Sequence, residues 1–252
     1  VRKALFLDVE TTGLDPTTEE IIELAMIPFT YASDGRIYEI REPFRSYRQP
    51  SRPIHDAITA LTGISNEMVA GTSIDPAEVA AFADGSAPII AHHAAFDRQF
   101  VERQWPAAFR DKPWACSMSQ IDWAAEGYEG TRLAYLATGA GFFYDKHQAA
   151  ADARAGIEML ATTLPKSGRL ALSALLERGR APTWRIWATG SPFETKDALK
   201  ARGYQWHAGK KSWHIAVDES AKDAEVEWLS IWIYRRAHIP PMDKITAFDR
   251  FS

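Results

Sequence analysis

The first apolar run, Ala4-Leu5-Phe6-Leu7-Asp8-Val9, ended by Thr-Thr-Gly, limits what this chain can fold into more than any other feature. An apolar stretch with no polar alternation predicts a strand buried on both faces, and such a strand needs a packed layer on each side of its sheet. Ile21 to Phe29 and Arg36 to Phe44 read as two more strands, with Ser33-Asp34-Gly35 as the turn between them. Three antiparallel strands are therefore expected first. Pro76 to Phe82 is predicted as a helix, Ala87 to His92 as a further strand and Phe96 to Gln104 as the next helix. Thr131 to Thr138 and the Ala-rich His147 to Thr163 are also predicted helical, the latter with Ile157, Met159 and Leu160 for packing. Strands covered in this way by helices predict an α/β fold with a mixed sheet.

Tryptophan divides the chain. Trp105, Trp114 and Trp123 lie in the first 182 residues, whereas Trp184, Trp187, Trp206, Trp213, Trp228 and Trp232 fall in the last 70. With 252 residues, a medium domain plus a small one is the expected organisation. The breakers Pro165, Gly168, Gly179 and Pro182 mark a connection over 165–182, with a short helix possible across Leu170 to Arg178. This gives a domain over 1–164, a linker over 165–182, a module over 183–236 and a tail over 237–252. In the module, Trp184 to Thr189 alternates as a strand does, Thr195 to Arg202 is helical, and Tyr204 to Trp206 and Ser212 to Val217 form a hairpin. Ala221 to Tyr234 is helical again, so the order is βαββα, a small α+β unit. Lys196, Lys200, Arg202, Lys210 and Lys211 mix with Tyr204, Trp206 and Trp213, a combination that suits a nucleic-acid strand through phosphate contacts and stacking. The same residues suit, more readily, an aromatic core with a solvated lysine surface, since small domains rely on large side chains for burial. His207 and His214 lack partner cysteines, which argues against zinc. The tail, with Pro240-Pro241, Phe248 and Phe251, has the composition of a segment that docks on a partner or on its own chain.

Net charge narrows the function classes. Lys+Arg 29 against Asp+Glu 33 gives −4, which excludes a generally basic nucleic-acid coat. A single cysteine, Cys116, excludes a disulfide framework and points to a reducing compartment. No apolar run reaches membrane-span length, and Val-Arg-Lys leads straight into a strand, so a cytoplasmic protein is expected.

The acids carry the chemistry. Asp8 and Glu10, two apart at a strand end, share one face. That spacing alone is weak, because 33 acids in 252 residues produce roughly four such pairs by chance at ordinary composition. Context strengthens it: Asp8 interrupts an apolar run, where an unpaired carboxylate is costly and a hard divalent cation relieves the cost. Asp97 falls in the first turn of a predicted helix, a position that by itself needs only the helix dipole. Asp152 follows His147 by five residues, about 1.4 turns, so the two share a broad face.

Three segments taken together, Asp8-Val9-Glu10-Thr11-Thr12-Gly13, His92-His93-Ala94-Ala95-Phe96-Asp97 and His147-Gln148-Ala149-Ala150-Ala151-Asp152, resemble the DEDDh exonucleases, the family of the proofreading epsilon subunit of DNA polymerase III. The resemblance spans about residues 3–163, and Leu61-Thr62-Gly63-Ile64 looks like the family's segment near the terminal base. His93 stands where relatives usually have Asn. The resemblance implies a ribonuclease H-like mixed-sheet domain that hydrolyses phosphodiesters with two divalent cations, Mg²⁺ or Mn²⁺. It further implies that Asp8, Glu10 and Asp152 hold the first ion and that Asp8 shares the second. Asp97 would complete the set directly or through water, with His147 as general base. The implied products are nucleoside 5′-monophosphates released one at a time from a 3′ end. The amides of Thr11 and Thr12 would meet the terminal hydroxyl, Leu14 with Leu61 or Ile64 would wedge the last base, and Phe96 and His92 would support it.

The resulting expectation is a 3′–5′ exonuclease acting on single-stranded or frayed DNA ends, with a polymerase or clamp as a potential partner. RNA is the alternative substrate, because the same acids serve both polymers. The remaining alternative, a non-catalytic polymerase-associated binding protein, sits poorly with five intact chemical positions.

Overall fold

The structure, a computed structural model, describes residues 1–252. Two compact units emerge: Val1–Gly179 with Phe248–Ser252, and Arg180–Ala247.

In the first unit, β1 (Arg2–Thr11) runs antiparallel to β2 (Ile21–Tyr31), and β3 (Ile37–Ile40) and β4 (Phe44–Tyr47) both pair with β2. After the helices α1 (Asp56–Thr62), α2 (Asn66–Val69) and α3 (Pro76–Ala83), β5 (Ile89–Ala91) joins the other side of β1 in parallel. Then come α4 (Ala94–Gln104), α5 (Pro106–Phe109) and β6 (Trp114–Cys116), which is parallel to β5. The unit continues through α6 (Leu133–Gly139), α7 (Ala149–Ala161) and α8 (Ala171–Arg180). The sheet is mixed, with main order β3-β2-β1-β5-β6. Strand β1 is buried on both faces, as its apolar run requires. Ala4 and Phe6 pack with Ile157 and Leu160 of α7 and Leu172 and Leu176 of α8. Leu5, Leu7 and Val9 pack with Phe100 and Val101 of α4 and with Trp114. Each such side chain contributes about 1.5–3 kcal/mol of burial.

Several expectations are corrected. The strand expected over Arg36 to Phe44 is two strands, because Pro43 brings no N–H to the ladder and the pairing breaks there. Helices α1 and α2 and the three-residue β6 went unseen, being too short to show a period. The short helix left open across Leu170 to Arg178 is α8, and its Ala171, Leu172, Leu175 and Leu176 are core residues of the first unit, so this stretch is part of that unit and not a linker.

The second unit contains β7 (Thr183–Ala188), α9 (Lys196–Ala201), β8 (Gln205–His207), β9 (Ser212–Asp218) and α10 (Lys222–Trp228). The last helix widens into a π-helical stretch over Leu229–Tyr234. A further strand, β10 (Met242–Ile245), comes from the expected tail and pairs with β7, giving the order β10-β7-β9-β8. Ile186, Ala188, Leu199, Tyr204, Leu229 and Ile233 form the core, with Trp184, Trp213 and Trp228 packed against it. The remainder of the tail belongs to the first unit, where buried Arg98 donates to the carbonyls of Phe248 (2.7 Å) and Arg250 (2.6 Å). No helix is long and apolar enough to cross a membrane.

Candidate active site

The site forms where β1 and β5, parallel neighbours, both end. Period-2 geometry puts Asp8 and Glu10 on the same side of β1 as Phe6, the side covered by α7. Gly156 makes that approach possible, since a Cβ there would lie 2.1 Å from Phe6 Cζ. One turn earlier on α7 stands Asp152. Single ligand atoms of Asp8, Glu10 and Asp152 accordingly all lie within 4.8 Å of one another.

Asp97 sits outside this tight trio. It is 2% exposed, in the first turn of α4, and its Oδ1 accepts the Val9 amide at 3.3 Å, which ties α4 to the strand between the two β1 acids. Burial, followed by the charges of Asp97, Asp152, Glu10 and Glu23, pushes the Asp8 carboxyl well above the usual carboxylate range. Burial first, and then Asp152, Glu23 and Asp97, raise Glu10 to about 8. Burial also raises Asp97 to about 8 against the pull of the Val9 amide. Half-buried acids this close to one another with no basic side chain among them are a donor set that fits hard divalent cations.

Asp152 is held by its own loop. Its Oδ2 accepts the amides of His147 (2.7 Å) and Gln148 (3.2 Å), and its Oδ1 accepts the Tyr144 hydroxyl (2.7 Å). His147 adopts φ 64°, an uncommon conformation for a side-chain-bearing residue, retained here because its amide is fixed by Asp152.

Two contributors escaped the sequence reading. Glu23, fully buried on β2, is the register partner of Glu10. Like charges directly across a sheet repel, and Arg45 of β4 answers Glu23 with an ion pair from its Nε. The other Glu23 oxygen accepts the Ala149 amide at 3.1 Å, at the start of α7. The available signal was the same as at Asp8, an acid interrupting an apolar strand. Tyr144 offered none.

The candidate end-reading residues separate. Leu14 and Leu61 are exposed, as a wedge requires, but Ile64 is 2% exposed in a cluster with Ile22, Ile54 and Val69. Ile64 is core, whereas Leu61 is on the surface. The Thr12 amide donates to the Glu20 carbonyl at 2.9 Å, so it is already engaged within the chain; Thr11 is buried at the β1 bulge. His92 is engaged at both ring nitrogens, by Ser117 Oγ (2.9 Å) and the Thr131 carbonyl (2.7 Å), and burial lowers its pKa to about 4. Its place is that of a neutral internal brace. Phe96 is half-buried, with the exposed His93 stacked on it at 5.9 Å and 11°.

The strand order and layers form a mixed-sheet α/β fold with an acid cluster at the strand ends. The RNase T exonuclease family matches residues 5–160, and the chain belongs to that family. An epsilon-like protein of DNA polymerase III from Rhodobacter capsulatus is 41% identical over 102 residues, 38% of this chain and 14% of that protein. A PolC-type DNA polymerase III from Latilactobacillus sakei is 36% identical over 99 residues, 38% of this chain and 6% of the polymerase. The matched stretches are thus a small part of either relative. Among solved structures, E. coli exonuclease I in a zinc-bound complex with single-stranded DNA has a TM-score of 0.58 at 17% identity, covering 99% of this chain and 64% of that one. Exonuclease I of Methylocaldum szegediense has a TM-score of 0.52 at 18% identity, covering 74% of this chain and 48% of that one. At these identities the likeness is one of fold.

Proposed function

We propose that this chain removes nucleoside 5′-monophosphates one at a time from the 3′ end of DNA, with two divalent cations, Mg²⁺ or Mn²⁺, held by Asp8, Glu10, Asp97 and Asp152. The observation that carries the reading is the convergence of Asp8, Glu10 and Asp152 within 4.8 Å, at strand ends where a phosphodiester can approach.

Held by these carboxylates, divalent cations would supply a lowered pKa for an attacking water and neutralisation of charge on the phosphoryl and leaving oxygens. The protein's own groups do the rest. Asp8 and Glu10 are carried by one strand and Asp152 by one helix, and the Asp152 carboxylate is held further by the amides of His147 and Gln148 and the Tyr144 hydroxyl. His147, whose backbone amide is tied to Asp152, would accept the proton of the attacking water as general base. Leu14 and Leu61 present apolar surface to the terminal base, and contacts of that kind accept any base. The polymerase names of the relatives support a DNA substrate and a polymerase as partner.

Oligonucleotides labelled at either end, DNA beside RNA, with Mg²⁺, Mn²⁺ or EDTA, test the proposal. Mononucleotides released first from the 3′ end of DNA, only with metal and not by Asp8→Ala, are expected. Products from the 5′ end, or metal-independent cleavage equal in Asp8→Ala, would overturn it. Preference for RNA would assign the same chemistry to an exoribonuclease.

A further inference from the structure

The site accounts for none of the exposed aromatic and cationic side chains of the second unit. Phe193 is 76% exposed and Trp206 is 52% exposed, although the core of this unit takes other aromatics inside. Lys196 Nζ stands 4.4 Å from the Phe193 ring centroid. One turn along α9, on the same face, Lys200 Nζ stands 5.9 Å from the Trp213 ring. Trp213 in turn meets Trp206 edge to face at 5.5 Å and 64°. The result is a continuous strip, Phe193, Lys196, Lys200, Trp213 and Trp206, in which both lysines meet rings and not carboxylates. Arg202 lies outside it, paired with buried Glu225.

Charge favours a polyanion. Residues 193–213 carry five cations (Lys196, Lys200, Arg202, Lys210 and Lys211) against two acids (Glu194 and Asp197), a net of +3 within a chain of net −4. The exposed Phe193 and Trp206 rings flank the Lys196 and Lys200 ammonium groups and the half-buried Trp213, so an unpaired strand would find rings to stack its bases on and ammonium groups to displace its condensed counterions. A duplex keeps its bases stacked on each other and has no use for exposed rings of this kind.

We infer that this strip is a binding surface for single-stranded nucleic acid, separate from the acidic site. The polymer it would hold is taken from the exonuclease reading, on which the inference rests, but its test does not require hydrolysis. Binding of fluorescein-labelled dT12 and U12 to the full chain is measured by anisotropy in EDTA, over a series of salt concentrations. Phe193→Ala with Trp206→Ala is expected to weaken binding about tenfold or more. Lys196→Gln with Lys200→Gln is expected to lower the salt slope by about 1.4, whereas the surface pair Lys3→Gln and Arg110→Gln leaves it in place. Trp206→Phe should retain most of the affinity, which a merely structural loss would not predict. Should the alanine pair lower the melting temperature, the glutamine pair, on exposed lysine heads, carries the test. Affinity and slope indifferent to the strip variants, or no binding of either oligomer, would overturn the surface. A chain that binds through the strip but never cuts with metal would instead overturn the exonuclease reading.

Discussion

Across the sheet from Glu10 stands Glu23, a second buried carboxylate whose two oxygens serve Arg45 and the Ala149 amide. Replacing it with Ala leaves that amide without an acceptor at the start of α7, a cost of about 1–3 kcal/mol. Glu23→Ala should therefore lower the thermal midpoint and reduce cleavage, while Glu23→Gln, which keeps an acceptor, loses less; equal melts for all three chains would exclude this anchoring role. The acids of the site also set a pH dependence. Asp8, Glu10 and Asp97 hold protons in the folded, metal-free chain that the unfolded chain releases from roughly pH 4 upward. Folded values above unfolded ones mean stability that is complete below the unfolded values and lost as pH rises through about 8. His92, lowered to about 4, acts in the opposite sense, losing stability as pH falls below its unfolded value. Between pH 6.5 and 8.5 the acids alone decide, so melts in EDTA should fall with pH and Mg²⁺ should restore them, most at pH 8.5. A flat profile in EDTA would contradict the stated environment of these acids. At this scale the candidate ligands were legible because their residue types and order carry chemistry. Glu23 and Tyr144 were not, because their proximity to the ligands comes from strand register and from a loop.

Among elements, the contact of α7 with β1 fixes the site. Gly156 permits it, and Asp152 and Asp8 are brought together by the same packing. Gly156→Ala places a methyl group against Phe6 and should cost about 1–3 kcal/mol of overpacking, with cleavage falling further than stability because Asp152 shifts from Asp8. Adding Phe6→Leu should recover part of both, and cleavage by Gly156→Ala equal to that of the parent chain would show that α7 does not set the spacing. Long elements such as β1, β2 and α7 were legible from their apolar patterns. The division of β3 from β4 at Pro43, the three residues of β6 and the continuation of the last helix as a π-helical stretch were not, because short segments take their form from neighbours.

On the scale of the whole molecule, the chain leaves the first unit after Gly179 and returns to it at Phe248. Removing residues 248–252 takes two carbonyl acceptors from the buried Arg98 guanidinium, which retains Glu102. The first unit should lose about 1.5–3 kcal/mol, read as a lower calorimetric midpoint. An unchanged midpoint would mean that water replaces those carbonyls without cost. By itself, the sequence determined the buried central strand and the mixed α/β class and singled out four acids as candidate ligands, since burial pattern and ligand chemistry are properties of residues in order along the chain. Only the tertiary structure decided that Ile64 is core, that His92 is a brace, that Glu23 stands beside Glu10 and that the tail divides between two units. Each of those outcomes depends on which distant segment fills the space beside a residue, and that is set by packing rather than by local pattern.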